Sequence, residues 1–153
     1  MQKIIPNLWF NRNAKEAVDY YLSVFKDSKI ISTTYYPKEG LEDFQKDFAG
    51  AVLTVEFEIL GQRFVAINAG DEFKFTEAVS FLISCKDQEE IDYYWEKLSA
   101  VPESEQCGWC KDKYGLSWQI NPENMEELMK KPNAFSIMMK QKKIIIDEYQ
   151  GKN

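Results

Sequence analysis

Histidine is absent from the 153 residues. With it go the usual general base near neutral pH and the commonest protein ligand of transition metals. Hydrolases built on a serine and histidine pair, and histidine-ligated metalloenzymes, are therefore excluded. Cysteine is scarce: Cys85, Cys107 and Cys110 are an odd number at low density, unlike the disulfide framework of a small secreted domain. Reduced thiols are the expectation. None of the seven glycines forms the glycine-rich strand-to-helix turn that a Rossmann-type methyltransferase or dehydrogenase uses for its cofactor. No apolar run approaches the roughly 20 residues that span a bilayer, and the start Met1-Gln2-Lys3-Ile4-Ile5-Pro6 lacks the apolar region of a secretory signal. A cytoplasmic location is expected. Basic residues are outnumbered, 19 to 25, and the net charge of −6 disfavours attraction to phosphate backbones or anionic lipid. Neither nucleic acid nor membrane is an expected partner.

What is present suffices for a single domain over residues 1–153 with one core. Apolar residues alternate through Ile4, Pro6, Leu8 and Phe10, then take helical spacing at Ala14, Ala17, Val18, Tyr21, Leu22 and Phe25. A strand over 3–10 and a helix over 13–25 follow, with Asn11 or Asn13 able to cap the helix. β-Branched and aromatic runs predict strands at 29–36, 50–59 and 62–69, the last two joined by a turn at Leu60-Gly61. The polar stretch 37–48 has no clean period and reads as a loop able to cover a pocket.

The order then begins again. A strand is expected at 78–85, a helix at 88–99 opened by Asp87, and strands near 105–111 and 116–121. Val18-Asp19-Tyr20-Tyr21 returns as Ile91-Asp92-Tyr93-Tyr94, and Val65-Ala66-Ile67-Asn68 is answered by Trp118-Gln119-Ile120-Asn121. Two helices packed on one sheet would both favour an aromatic face, yet here the order of elements repeats along with the residues. The reading is an α+β chain of two strand-helix-strand-strand-strand repeats, about 1–70 and about 76–122, the second a strand shorter. Their sheets are expected to pair into an incomplete barrel with a ligand cleft. A helical arm over about 123–150 carries Met125, Leu128, Met129, Phe135 to Met139 and Ile144 to Ile146, and should pack on the domain or on a second subunit.

Several strings in order resemble the PhnB-like branch of the glyoxalase, bleomycin-resistance and extradiol dioxygenase (vicinal oxygen chelate) superfamily, a branch often described as 3-demethylubiquinone-9 3-methyltransferase-like. They are Leu8-Trp9-Phe10 with Ala14 to Phe25, Val52 to Phe57, Gly61-Gln62 onward to Gly70, Phe73-Lys74-Phe75 with Glu77 to Ser80, Cys107-Gly108-Trp109, Lys111 to Gly115, Ser117 to Pro122, and Met138-Met139-Lys140 with Lys142-Lys143. The resemblance implies that superfamily's incomplete-barrel fold and cups buttressed across a two-fold interface, hence a homodimer. It places the positions that hold metal in relatives on Pro6, Ala66 (or Asn68), Ser80 and Gln119. That set does not hold a metal, since proline and alanine donate nothing and a hydroxyl with a carboxamide is a poor substitute for imidazole or carboxylate.

No metal and no cofactor are therefore expected. Asn68, Gln119 and Ser80 are the candidate ligand-binding residues, set against the plainer role of tying down backbone. Glu56 and Glu58 share a strand face that is ordinarily solvated, and neither they nor Glu77 is expected to be catalytic; no catalytic residue is assigned. Cys107-Gly108-Trp109-Cys110 has dithiol spacing but lacks the helix N-terminus that stabilises a thiolate. The function expected is a metal-free small-molecule-binding protein. An enzyme acting on a small organic substrate and a drug-sequestering dimer that stacks on an aromatic cation are the alternatives.

Overall fold

The computed structural model describes residues 2–151. They divide after Lys74 into two compact units. The first contains strand β1 (Asn7–Asn11), helix α1 (Ala14–Val24), strand β2 (Ser28–Tyr35), a 3₁₀ helix over Asp43–Phe48, and strands β3 (Val52–Ile59) and β4 (Gln62–Ala69). Its sheet runs β1-β4-β3-β2, with β1 parallel to β4 and the other pairs antiparallel. Period-two alternation puts Val55, Phe57 and Ile59 of β3 and Phe64, Ala66 and Asn68 of β4 in the buried layer. Helix α1 buries Ala14, Ala17, Val18, Tyr21 and Val24 and packs on β3, β4 and β1. Tyr21 lies parallel to Phe57, ring centres 6.3 Å apart, and Phe57 stacks on Phe64 at 5.5 Å. The β3–β4 hairpin turns on Leu60 and Gly61, both left-handed, a backbone pair whose twist matches the strands it joins.

The second unit has strand β5 (Ser80–Cys85), helix α2 (Gln88–Leu98), strands β6 (Trp109–Lys111) and β7 (Ser117–Pro122), and three short helices, α3 (Met125–Leu128), α4 (Ala134–Lys140) and α5 (Ile146–Tyr149). Its sheet runs β5-β7-β6. Asp87 caps α2 by accepting from the Glu90 amide at 2.9 Å. The β6–β7 turn is held by buried Asp112, whose carboxylate accepts from the amides of Tyr114 and Leu116 at 2.8 and 3.1 Å and from the Trp118 indole at 2.9 Å. Neither sheet closes into a barrel.

The C-terminal arm is strapped to its own unit. The amides of Cys107 and Gly108 donate to the carbonyls of Gln141 and Lys142. Gln88 on α2 donates to the Ile144 carbonyl and accepts from the Ile146 amide. Lys143 pairs with Asp92 at 2.8 Å. Burial pushes the Asp92 carboxyl up, but the hydrogen bonds from Lys143 and Gln88 outweigh it and hold the group below its ordinary range. Ile144, Leu128, Ala134 and Tyr149 form a small core beneath the arm.

Several elements differ from the sequence reading: the strands expected from 50 and 78 start at Val52 and Ser80, and the arm is broken into α3, α4 and α5. The strand expected from residue 3 begins at Asn7. The strand expected at 105–111 shrinks to Trp109–Lys111, because Cys107 and Gly108 are both left-handed and turn the chain just before it. The loop at 37–48 contains the 3₁₀ helix, opened by a capping box between Glu42 and Gln45. A helix of three residues per turn leaves no period of 3.6 to read.

Gly108 is where the strap is tightest. A Cβ there would stand 2.9 Å from Asn121 Oδ1 and 3.0 Å from Ile144 Cγ1, on a backbone at φ +85°. Gly108→Ala is expected to cost about 2–4 kcal/mol, strain plus displacement of the arm. Gly115→Ala, at φ +88° with open space around it, should cost about 1 kcal/mol from strain alone. Denaturant unfolding of the two variants checks this; equal losses would contradict the packing argument.

Candidate functional site

The first unit contains a cavity of about 560 Å³. Trp9 and Asn11 reach it from β1, Arg12 from the β1–α1 turn, and Tyr36 from the end of β2. Phe44, Gln45 and Phe48 come from the 3₁₀ helix, Leu53 and Ile67 from β3 and β4, and Gly70, Asp71 and Glu72 from the segment after β4. The volume matches a small organic molecule.

Each wall is fixed by a physical contact. Trp9 alternates with Leu8 and Phe10, which are buried, so its ring takes the other face of the sheet. The indole N–H donates to the Gly70 carbonyl at 2.9 Å, and Phe73 meets the ring edge-on at 4.8 Å. Tyr36 stacks on Phe48 at 4.9 Å and donates its hydroxyl to the Asn68 carbonyl at 2.6 Å. Burial raises the Tyr36 pKa, the Glu72 charge raises it further, and Arg12 opposes them. Arg12 is left-handed at φ 61° and lays its guanidinium 4.5 Å over the Phe48 ring, with Asp47 3.9 Å away.

Asn68 stands behind this cavity, in the helix-covered layer of the sheet. Its Oδ1 accepts from the Ala14 amide at 3.2 Å, and its Nδ2 donates to the Val52 carbonyl at 2.9 Å. A residue of β4 thus supplies the cap of α1; Asn13 occupies the N-cap position but makes no side-chain cap bond. Gln119 and Ser80 lie in the second unit and meet each other, the Gln119 amide donating to the serine hydroxyl at 3.0 Å. Beside them Ser117 is buried with its hydroxyl unpartnered. Ser80 and Gln119 are thus brought together, whereas Asn68 belongs to a separate cluster.

Glu56 and Glu77 are paired locally. Arg63 donates to Glu56 from the neighbouring strand, and Lys111 pairs with Glu77 at 3.0 Å, the hydrogen bond holding the Glu77 carboxyl below its ordinary value. All three cysteines are free thiols. Burial pushes both Cys85 and Cys110 up to about 12, the reverse of what a dithiol redox pair needs. The superfamily's metal has no fitting donor set. Pro6 and Ala66 have no donor atom, the Asn68 oxygen is engaged by Ala14, and Ser80 and Gln119 are bonded to each other. Among the described residues no group of three or more His, Cys, Asp or Glu is placed to hold a metal ion.

The aromatic walls of the cavity were missed from the sequence. The available signals were Trp9 in antiphase to Leu8 and Phe10, and the Gly70-Asp71-Glu72 run closing β4. Tyr36 and Phe48 meet only through the tertiary fold.

Comparison with known proteins agrees with this architecture. The family model described as 3-demethylubiquinone-9 3-methyltransferase matches residues 2–121. The PhnB protein of Bacillus cereus is 35% identical, with a TM-score of 0.62 over 78% of this chain and 98% of its own. A Pseudomonas aeruginosa protein shares the fold at 14% identity and a TM-score of 0.59, covering 80% of this chain and 98% of its own. The genomically encoded fosfomycin resistance protein of Listeria monocytogenes does so at 17% identity and 0.52, covering 85% and 98%. No curated protein sequence matches. The α+β repeats with their two small sheets have the glyoxalase and bleomycin-resistance fold. The chain belongs to the PhnB-like family of the vicinal oxygen chelate superfamily.

Burial orders the thiols by reactivity. In native protein at pH 8, an aromatic disulfide reagent should label one thiol per chain rapidly, the half-buried Cys107, with Cys85 and Cys110 reacting at least about tenfold more slowly, as their raised pKa values require. Cys107→Ser should remove the fast phase; a fast phase of two thiols would contradict the burial of Cys110.

Proposed function

We propose that this chain is a metal-free small-molecule-binding protein, and that the cavity of the first unit is where the molecule sits. One observation carries the reading: about 560 Å³ of space bounded by the rings of Trp9, Tyr36, Phe44 and Phe48, with Asn11, Arg12, Gln45, Asp71 and Glu72 as polar groups among them. Aromatic walls with a few fixed polar groups are the usual composition of a ligand pocket. Asn68 supports such a site from behind, holding the backbone that positions Tyr36 and the start of α1. Gln119 and Ser80 form a second polar pair, available to a ligand only if their mutual bond opens.

The methyltransferase description of the family model is a weaker guide to this chain. The turns from a strand into the two long helices are Arg12-Asn13 and Lys86-Asp87, neither of which has the glycine that lets a nucleotide cofactor approach a helix N-terminus. No methyl-transfer step follows from these residues.

Thermal shift tests the reading, because a ligand of the folded state raises apparent stability by mass action. Small aromatic compounds at millimolar concentration are expected to raise the melting temperature, and Phe48→Ala to abolish the shift. Zinc, nickel and S-adenosylmethionine are expected to leave it unchanged. A stoichiometric metal whose removal by chelator lowers the melting temperature would overturn the metal-free reading.

For the assembly we propose a homodimer. The arm packs on its own unit, so the support lies in apolar side chains that remain exposed, Phe135 and Leu82 among them. Light scattering coupled to size exclusion should give twice the 17.9 kDa of one chain at micromolar concentration; a monomer would refute it.

A further inference from the structure

If the cavity of the first unit is a ligand site, its charges define the class of ligand. We propose that it takes an organic ammonium compound with an apolar or aromatic body, the cation held by Asp71 and Glu72 and by the faces of the surrounding rings. The inference rests on the binding reading above and adds the ligand's charge to it.

Few charges surround the cavity. Three ionised side chains line it: Arg12, Asp71 and Glu72. Arg12 is already engaged, with its guanidinium 4.5 Å over the Phe48 ring and 3.9 Å from Asp47, a carboxylate outside the lining. Asp71 and Glu72 have neither a hydrogen bond nor an ion pair among the described residues. The Glu72 carboxylate folds back against Gly70 into space that a Cβ would occupy, so glycine at 70 is what admits the carboxylate there. The exposed Glu72 carboxylate raises the Tyr36 pKa and Arg12 lowers it, so both charges are felt at that hydroxyl.

The rings complete the site. A cation is attracted to the face of an aromatic ring, and most strongly to tryptophan. The Trp9 ring is locked by its hydrogen bond to the Gly70 carbonyl, one residue before Asp71, so the ring and the carboxylates are held together by one short segment. Tyr36 and Phe48 are fixed by their mutual stacking. Rings ordered in advance cost little further entropy on binding. An anionic ligand would instead face two carboxylates against the single guanidinium of Arg12, which lies over the Phe48 ring with Asp47 3.9 Å away. The first amide of α1, another place an anion would seek, is occupied by Asn68.

Isothermal titration of the full chain with three probes tests this: benzyltrimethylammonium, benzyl alcohol and benzoate, which share a benzyl or phenyl ring and differ in charge. The cation is expected to bind at least about tenfold more tightly than either of the others at low ionic strength. Asp71→Asn combined with Glu72→Gln should abolish that preference, and Trp9→Phe should weaken binding of the cation. Asp43→Asn, at an exposed carboxylate outside the lining, should leave the affinity unchanged. Equal or tighter binding of benzyl alcohol or benzoate would overturn the ammonium assignment while leaving the cavity as a ligand site, as would an equal loss in the Asp43 variant, which would mark a general charge effect. Binding of none of the three, or binding indifferent to Trp9, would overturn the cavity reading itself.

Discussion

The first unit depends on one carboxamide. Asn68 leaves β4 on the helix-covered side of the sheet, accepts from the first amide of α1 and donates to the carbonyl that opens β3, while its own carbonyl receives the Tyr36 hydroxyl. Helix start, strand start and Tyr36, the residue just after β2, are thereby tied to a single position. The bonds to Ala14 and from Tyr36 are buried and the bond to Val52 is half-buried, so an unmade bond in the buried pair would leave a donor or acceptor without water, at a cost of about 1–3 kcal/mol each. Tyr36, once placed, stacks on Phe48 and so positions the 3₁₀ helix, and Phe48 in turn carries the guanidinium of Arg12. The cavity is the space this chain of contacts leaves open.

Much of this order was legible in the sequence, because its period reports packing directly. The spacing of Ala14, Ala17, Val18 and Tyr21 is that of a helix face, and the alternation around Phe57 and Phe64 is that of a strand with one buried side. Leu60-Gly61 forms the hairpin turn its composition implied, and Asp87 caps α2 as expected. The doubling of strand, helix and strands reappears as two units of similar element order, the second with three strands. The face to which Asn68 turns was harder to read. The Leu60-Gly61 turn sets how β4 pairs with β3, but it does not say which face of the sheet the helix covers and which the cavity takes. The cavity walls were illegible for a different reason: Trp9, Tyr36, Phe48 and Glu72 belong to four separate segments, and no local period records their meeting.

Membership of the PhnB-like family accounts for the repeat and the two small sheets, but fold alone does not carry chemistry. The positions that the resemblance gives to metal ligands carry proline, alanine or asparagine, serine and glutamine here, and the serine and glutamine bond to each other. Recognition by aromatic faces and uncompensated carboxylates needs none of those ligands. It relies on rings held before the ligand arrives: Trp9 by the Gly70 carbonyl, and Tyr36 by the Asn68 carbonyl.

Hydrogen exchange in an Asn68→Ala variant tests that fixation most directly. The Ala14 amide, which donates to Asn68 Oδ1, and the Tyr36 amide, which donates at 2.8 Å to the Ala51 carbonyl beside the Val52 carbonyl that the Asn68 side chain holds, should exchange at least about tenfold faster than in the parent protein once the side-chain clamp is removed. Unchanged protection at both amides would show that the cavity's walls stand without Asn68, and would contradict the account.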